Sequence, residues 1–120
     1  MQFNNSTPIY LQIAEQLESD ILSGRYPEEE RIPSVRELSA SLEVNVNTVM
    51  KAYDRLTAGE IIYNRRGMGY YVKPGATEKI RQERRRHFFD TVIPHLHEQM
   101  RQLGITYVEM KRVIDSVKDT

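Results

Sequence analysis

Pro33-Ser34-Val35-Arg36-Glu37-Leu38, then Asn45-Val46-Asn47-Thr48-Val49 with Ala52, Tyr53 and Leu56 behind it, is the stretch that decides the fold. Ser34 and Glu37 have the spacing of a capping box, in which the hydroxyl takes the third helical amide and the acid reaches back to the cap. A helix therefore opens at Ser34 and runs to about Leu42. Asn45 is an N-cap for the next helix, and Val49, Ala52, Tyr53 and Leu56 keep helical spacing until Gly59 ends it. Only a short turn separates the two. A helix-turn-helix needs apolar residues at set offsets through both helices and the turn, and Leu38, Leu42, Val44, Val49 and Ala52 fill them. The turn carries Glu43 where many such turns have glycine, so it must close without a residue that enters the left-handed region freely.

With Val49, Ala52, Tyr53 and Leu56 turned inward, about 100° per residue turns Asn47, Lys51 and Asp54 outward. Asparagine suits adenine, and lysine suits phosphate or guanine, so Asn47 and Lys51 are placed to reach a major groove. Asp54 lies a turn or two deeper, where the helix is leaving such a groove.

Upstream, Thr7-Pro8 reads as a hydroxyl N-cap followed by proline at the first helical position. Tyr10, Ile13, Ala14, Leu17 and Ile21 then make one apolar stripe, and Gly24 ends it. A loop with Pro27 and Glu28-Glu29-Glu30 follows. Downstream of Gly59, Ile61-Ile62-Tyr63-Asn64 and Tyr70-Tyr71-Val72-Lys73 flank Arg65-Arg66-Gly67-Met68-Gly69, a β-hairpin with a basic, glycine-bearing tip. Arg65 and Arg66 beside Gly67 and Gly69 put cations on a backbone thin enough to skirt a minor groove. The fold class is mainly α with a small β-hairpin: a winged helix-turn-helix over residues 1–75, then a two-helix tail over 76–120.

The tail begins in a charged run from Lys79 to Arg86 that could approach phosphates beside the wing, although a solvated helix face with Glu78 and Glu83 as neighbours is the favoured reading. Phe89, Val92, Ile93, Leu96, Met100 and Leu103 continue the helix, and Pro94 is expected to kink it. Gly104 stops it. Thr106 and Glu109 then space a second capping box, with Ile105 and Met110 as its staple, and Val108, Val113, Ile114 and Val117 follow. Two helices cannot bury their own stripe. Phe89, Val92, Leu96, Met100, Leu103, Val113, Ile114 and Val117 are therefore assigned to dimerisation.

The 120 residues hold 17 Lys and Arg against 17 Asp and Glu, yet residues 1–32 carry 2 basic and 6 acidic side chains, so the remainder is mildly basic. The absence of cysteine excludes disulfides, thiolate zinc sites and a cysteine nucleophile. There is no signal-peptide pattern and no apolar run of membrane length, so a cytoplasmic protein is expected. No phosphate loop, nucleophile elbow or carboxylate pair is visible, so neither enzyme chemistry nor a cofactor is expected. Asp90 and His97 stand about 10 Å apart along one helix, so His87, Asp90 and His97 are read as solvated rather than metal-binding.

Thr7-Pro8-Ile9-Tyr10 with Gln12, Pro33-Ser34-Val35-Arg36-Glu37-Leu38, Asn47-Thr48-Val49 with Ala52-Tyr53 and Leu56, and Gly69-Tyr70-Tyr71-Val72 resemble the GntR family of bacterial transcription regulators over residues 7–75. The resemblance implies that Arg36 touches DNA, that the first turn of helix three enters the major groove, and that the hairpin glycines ride near the minor groove. With the helical-wheel reading it makes Ser34, Arg36, Asn45, Asn47, Thr48, Lys51, Arg65, Arg66, Gly67 and Gly69 the DNA-binding set. Val46 stands where many relatives carry arginine, so that base contact is missing and Asn45 or Asn47 takes it over. The short tail resembles the YtrA-like branch, whose tails serve mainly in dimerisation and whose members often repress transporter operons. The expectation is a homodimeric repressor on a short inverted repeat of double-stranded DNA, with an effector, if there is one, unidentified. The rival is a winged helix that binds another protein; its hairpin and recognition face would be apolar or acidic, unlike Asn47, Lys51, Arg65 and Arg66.

Overall fold

A computed structural model describes residues 1–118. Helix α1 (Ile9–Leu22) buries Ile13, Ala14, Leu17 and Ile21, as its stripe requires. Its start differs from the expected hydroxyl cap. Pro8 is extended (φ −53°, ψ 141°) and holds the N-cap position itself, with no side-chain cap. The Thr7 carbonyl instead accepts from the buried Gln12 Nε2 at 2.7 Å, Asn4 O accepts from the same amide at 2.9 Å, and Asn4 N donates to Gln12 Oε1 at 3.0 Å. Gln12 is thereby satisfied by the backbone it pins.

Helix α2 (Val35–Leu42) opens with the predicted box: Glu37 N donates to Ser34 Oγ at 3.0 Å and Ser34 N to Glu37 Oε1 at 3.1 Å. It closes on Glu43 in the left-handed region, φ 56° and ψ 45°. The turn therefore has a left-handed position after all, held by a residue with a Cβ. Glu43 N bonds Ala40 O at 3.4 Å and Val44 N bonds Ser39 O at 3.1 Å, the pair of bonds by which a helix end spends its last carbonyls. Helix α3 (Val46–Ala58) follows, with Asn45 Oδ1 accepting from Asn47 N at 2.8 Å and Val49, Ala52, Tyr53 and Leu56 buried.

Strands β1 (Ile62–Arg65) and β2 (Gly69–Val72) pair antiparallel, Ile62 with Val72 and Arg65 with Gly69. Arg65 and Gly69 thus belong to the strands, and the turn proper is Arg66-Gly67-Met68. The segment after Pro27, expected as a plain loop, lies along the other edge of β2. Glu29 N bonds Val72 O at 2.8 Å, Val72 N bonds Glu30 O at 3.0 Å, and Ile32 N bonds Tyr70 O at 3.0 Å. Those bonds satisfy backbone groups that an open edge would leave to water.

The core gathers Ile13, Leu17, Ile32, Val49, Tyr53, Ile62 and Val72, and also Ala76 and Ile80 from α4 (Ala76–His87). The sequence division falls at residues 75 and 76, whereas the first compact unit is Met1–Gln82. Two polar clasps hold the root of α4. Glu28 accepts from Gly75 N at 2.7 Å and Thr77 N at 3.3 Å, and Lys79 Nζ donates to Gly59 O at the end of α3. The Gly75 amide keeps the Glu28 carboxyl below the usual carboxylate range.

The second unit, from Glu83 on, holds the rest of α4, a π-helical turn (Phe88–Val92), α5 (Ile93–Leu103) and α6 (Tyr107–Lys118). Pro94 has no amide for the carbonyl four residues back and its ring crowds it. The chain meets this with the wider π turn just ahead of Pro94. Gly104, left-handed at φ 68°, ends α5, and Glu109 N donates to Thr106 Oγ1 at 3.1 Å at the head of α6. No described residue of this unit from α5 onward is buried.

Candidate nucleic-acid interface

Three elements carry the predicted DNA-binding set, and Tyr53 ties them together. It is fully buried in α3; its hydroxyl donates to the Pro33 carbonyl at 2.6 Å, just ahead of α2, and its ring meets Tyr70 of β2 edge-on at 5.0 Å. Burial pushes the Tyr53 hydroxyl far above the ordinary tyrosine range, so it stays a donor. The start of α2, the body of α3 and the wing are thus anchored on one side chain.

At the start of α2, Ser34 is occupied by its capping box, while Arg36 is exposed in the first turn. On α3, Asn45 spends its carbonyl oxygen on the cap. Val46 (46% exposed) and Asn47 stand in solvent, and Thr48 is half-buried. Lys51 is exposed one turn further on, its Nζ 4.7 Å over the Tyr10 ring of α1. Asp54 is exposed as well.

On the wing, the Arg65 guanidinium lies 4.2 Å over the Tyr71 ring and donates to the Tyr63 hydroxyl at 2.9 Å. Arg66 and Gly67 are exposed at the turn. Gly69 also makes room for a side chain within the fold. At φ +106°, its missing Cβ would sit 2.9 Å from Arg31 Nε. Arg31 can lie against the wing backbone because residue 69 has no side chain. From there it reaches Glu37 Oε1 at 3.3 Å, which links β2 to the α2 cap. The Ser34 amide and hydroxyl, with Arg31 beside them, hold the Glu37 carboxyl below the usual range.

Sequence reasoning missed Arg31, Tyr10, Tyr63 and Tyr71. The aromatic partners had a usable signal, since cross-strand pairing of Tyr63 with Tyr71 follows from the hairpin register and puts both rings beside Arg65. Arg31 had none, because its neighbours come from distant segments.

The tail residues assigned to dimerisation lie on α5, α6 and the π turn. Phe89 is 56%, Val113 60%, Ile114 54% and Val117 67% exposed, with Val92 and Leu103 exposed too. Leu96 and Met100 are half-buried and line a crevice of about 500 Å³ with Ile93, Ile105 and Met110. Among the described residues no group of three His, Cys, Asp or Glu side chains converges on a point, and no helix is long and apolar enough to cross a membrane.

Residues 9–72 match the family model described as bacterial regulatory proteins, gntR family. The chain belongs to the GntR family. Over 119 residues it is 33% identical to the HTH-type transcriptional repressor YtrA of Bacillus subtilis (strain 168), covering 96% of this chain and 85% of that protein. A crystal structure of a GntR-family transcriptional regulator from Bacteroides thetaiotaomicron is 40% identical, with TM-score 0.75 over 92% of this chain and 96% of its own. The DNA-binding domain of AraR, crystallised with its operator ORR3, is 28% identical with TM-score 0.54 over 60% of this chain and 87% of its own. This GntR chain is therefore a transcription regulator with a winged-helix DNA-binding domain, and its relatives are not enzymes.

Proposed function

We propose that the chain acts in the cytoplasm as a homodimeric repressor that binds a short inverted-repeat operator, one winged helix per half-site. The apolar surface left bare on α5 and α6 carries this reading. Phe89, Val113, Ile114 and Val117 are each more than half exposed within the chain, and isologous pairing gives each the same patch on a second copy to lie against. Two-fold pairing would set the recognition helices about 34 Å apart, one turn of DNA, and couple the two binding events. The repressor name of YtrA and the AraR domain on its operator support the direction of the effect and the mode of contact.

In this reading Asn47 and Lys51 face base edges, and Asn45 uses its free amide nitrogen. Ser34, Arg36 and Thr48 approach the phosphates beside the major groove, while Arg65, Arg66, Gly67 and Gly69 follow the minor groove. The crevice of about 500 Å³ falls in the size range of small-molecule sites, so an effector entering it would compete with the partner's side chains.

Selection of randomised duplexes on the full chain, with sedimentation of the free protein, tests this. The expected result is a palindromic site bound by a dimer, with affinity falling as about the −0.9 power of salt for each phosphate neutralised. A monomer at micromolar concentration, or salt-independent binding without sequence preference, overturns it and favours the protein-binding rival.

A further inference from the structure

We propose that Val46 reads the 5-methyl group of a thymine, at a base pair neighbouring the one that Asn47 reads. The inference rests on the reading above, that the first turn of α3 enters a major groove.

Three side chains stand exposed at the head of α3, and each has a different use for its chemistry. Asn45 gives its carbonyl oxygen to the Asn47 amide at 2.8 Å, which caps the helix. Asn47 keeps its whole carboxamide for a partner outside the chain. Val46 lies between them and is 46% exposed, so nearly half of its surface faces outward. It is not part of the apolar core, which takes Val49, Ala52, Tyr53 and Leu56 from this helix. Nor does it suit its position in the helix, because β-branched residues lose side-chain freedom there, whereas alanine or a first-turn acid would not. A branched side chain that disfavours the helix and stays outside the core is left with its exposed side to use.

The chemistry of that outward face is narrow. In the major groove each base pair shows donors and acceptors, and only thymine adds a methyl group. A valine has no polar atom beyond its backbone, so it cannot pair with guanine, adenine or cytosine edges, and placing it against them would strip water from those groups without replacement. Against a thymine methyl it removes apolar surface on both sides from water. Asn47 suits adenine through a bidentate contact. The head of α3 is therefore built for adjacent A·T pairs, one read by hydrogen bonds and one by a methyl.

The test uses the full chain and the duplexes recovered by selection on it. Each thymine of both half-sites is replaced in turn by deoxyuridine, which keeps every hydrogen bond and removes only the methyl. At one position uracil is expected to weaken wild-type binding about fourfold per half-site, the worth of one buried methyl. Val46→Ala, which is helix-favouring and exposed, should bind thymine and uracil there within about 1.5-fold of each other. Val46→Arg should move the preference at that pair towards guanine, whose O6 and N7 accept both guanidinium donors. A uracil effect that persists in Val46→Ala, or no uracil-sensitive position at all on a specific duplex, overturns the inference while leaving the operator reading intact. Failure of selection to return any specific duplex overturns both.

Discussion

Replacing Tyr53 with phenylalanine isolates one bond. The ring keeps its place in the core and its edge-on contact with Tyr70 at 5.0 Å, while the 2.6 Å hydrogen bond from the hydroxyl to Pro33 O is lost. A neutral hydrogen bond contributes a net 0.5–1.5 kcal/mol or so, and a carbonyl left bare costs roughly 1–3 kcal/mol. Pro33 is half-buried, so water recovers part of that, and the expected loss is about 1–2 kcal/mol. Urea unfolding followed by circular dichroism should show the midpoint fall by about 1 M with an unchanged slope. Alkali gives a second signature. Because burial raises the Tyr53 proton affinity above that of the unfolded chain, wild-type stability is full below about pH 10 and declines as pH rises through the range above it. Tyr53→Phe should lack that part of the alkaline decline. Equal stability of the two proteins within about 0.3 kcal/mol, or superimposable alkaline profiles, would refute Tyr53 as the anchor of α2.

Glu43→Gly should stabilise the protein by about 0.5–1 kcal/mol in the same titration, because relief of the left-handed strain exceeds the extra freedom glycine gains when unfolded. Asn47→Ala should change the bases recovered by selection. Arg36→Ala should weaken binding to all sequences and make the salt slope shallower by about 0.9. Leu96→Asp combined with Met100→Asp should sediment as a monomer and lose about 100-fold in affinity for a two-half-site duplex, with half-site binding retained.

What was legible in the sequence is what neighbouring residues decide among themselves. Ser34 and Glu37 make their box across three positions, Asn45 caps α3 from just outside it, and the hairpin is announced by a change from helical to alternating spacing. The left-handed Glu43 was hidden because a glycine would advertise such a position and a glutamate does not. The edge pairing of residues 29–32 with β2 joins segments about forty residues apart, and no local pattern in a Pro- and Glu-rich stretch encodes it. The clasp of Glu28 on Gly75 and of Lys79 on Gly59 is equally remote, so α4 read as tail although Ala76 and Ile80 complete the first core. At the candidate interface the residue types were readable from the helical wheel. The supports under Lys51 and Gly69 were not, because Tyr10 and Arg31 reach them only through the tertiary fold, whereas the hairpin register already put Tyr71 beside Arg65.

The guanidinium of Arg65 rests on a ring, and those of Arg31, Arg81 and Arg101 rest on carboxylates. A carboxylate cancels the charge it restrains, and an incoming phosphate must displace it. A tyrosine face restrains the side chain and leaves its charge whole. Arg65 therefore waits with its rotamers already narrowed and its full positive field directed at solvent. Tyr71→Leu should slow neither folding nor the approach of DNA, yet it should raise the dissociation rate, because an arginine freed from its ring must be ordered anew at each encounter.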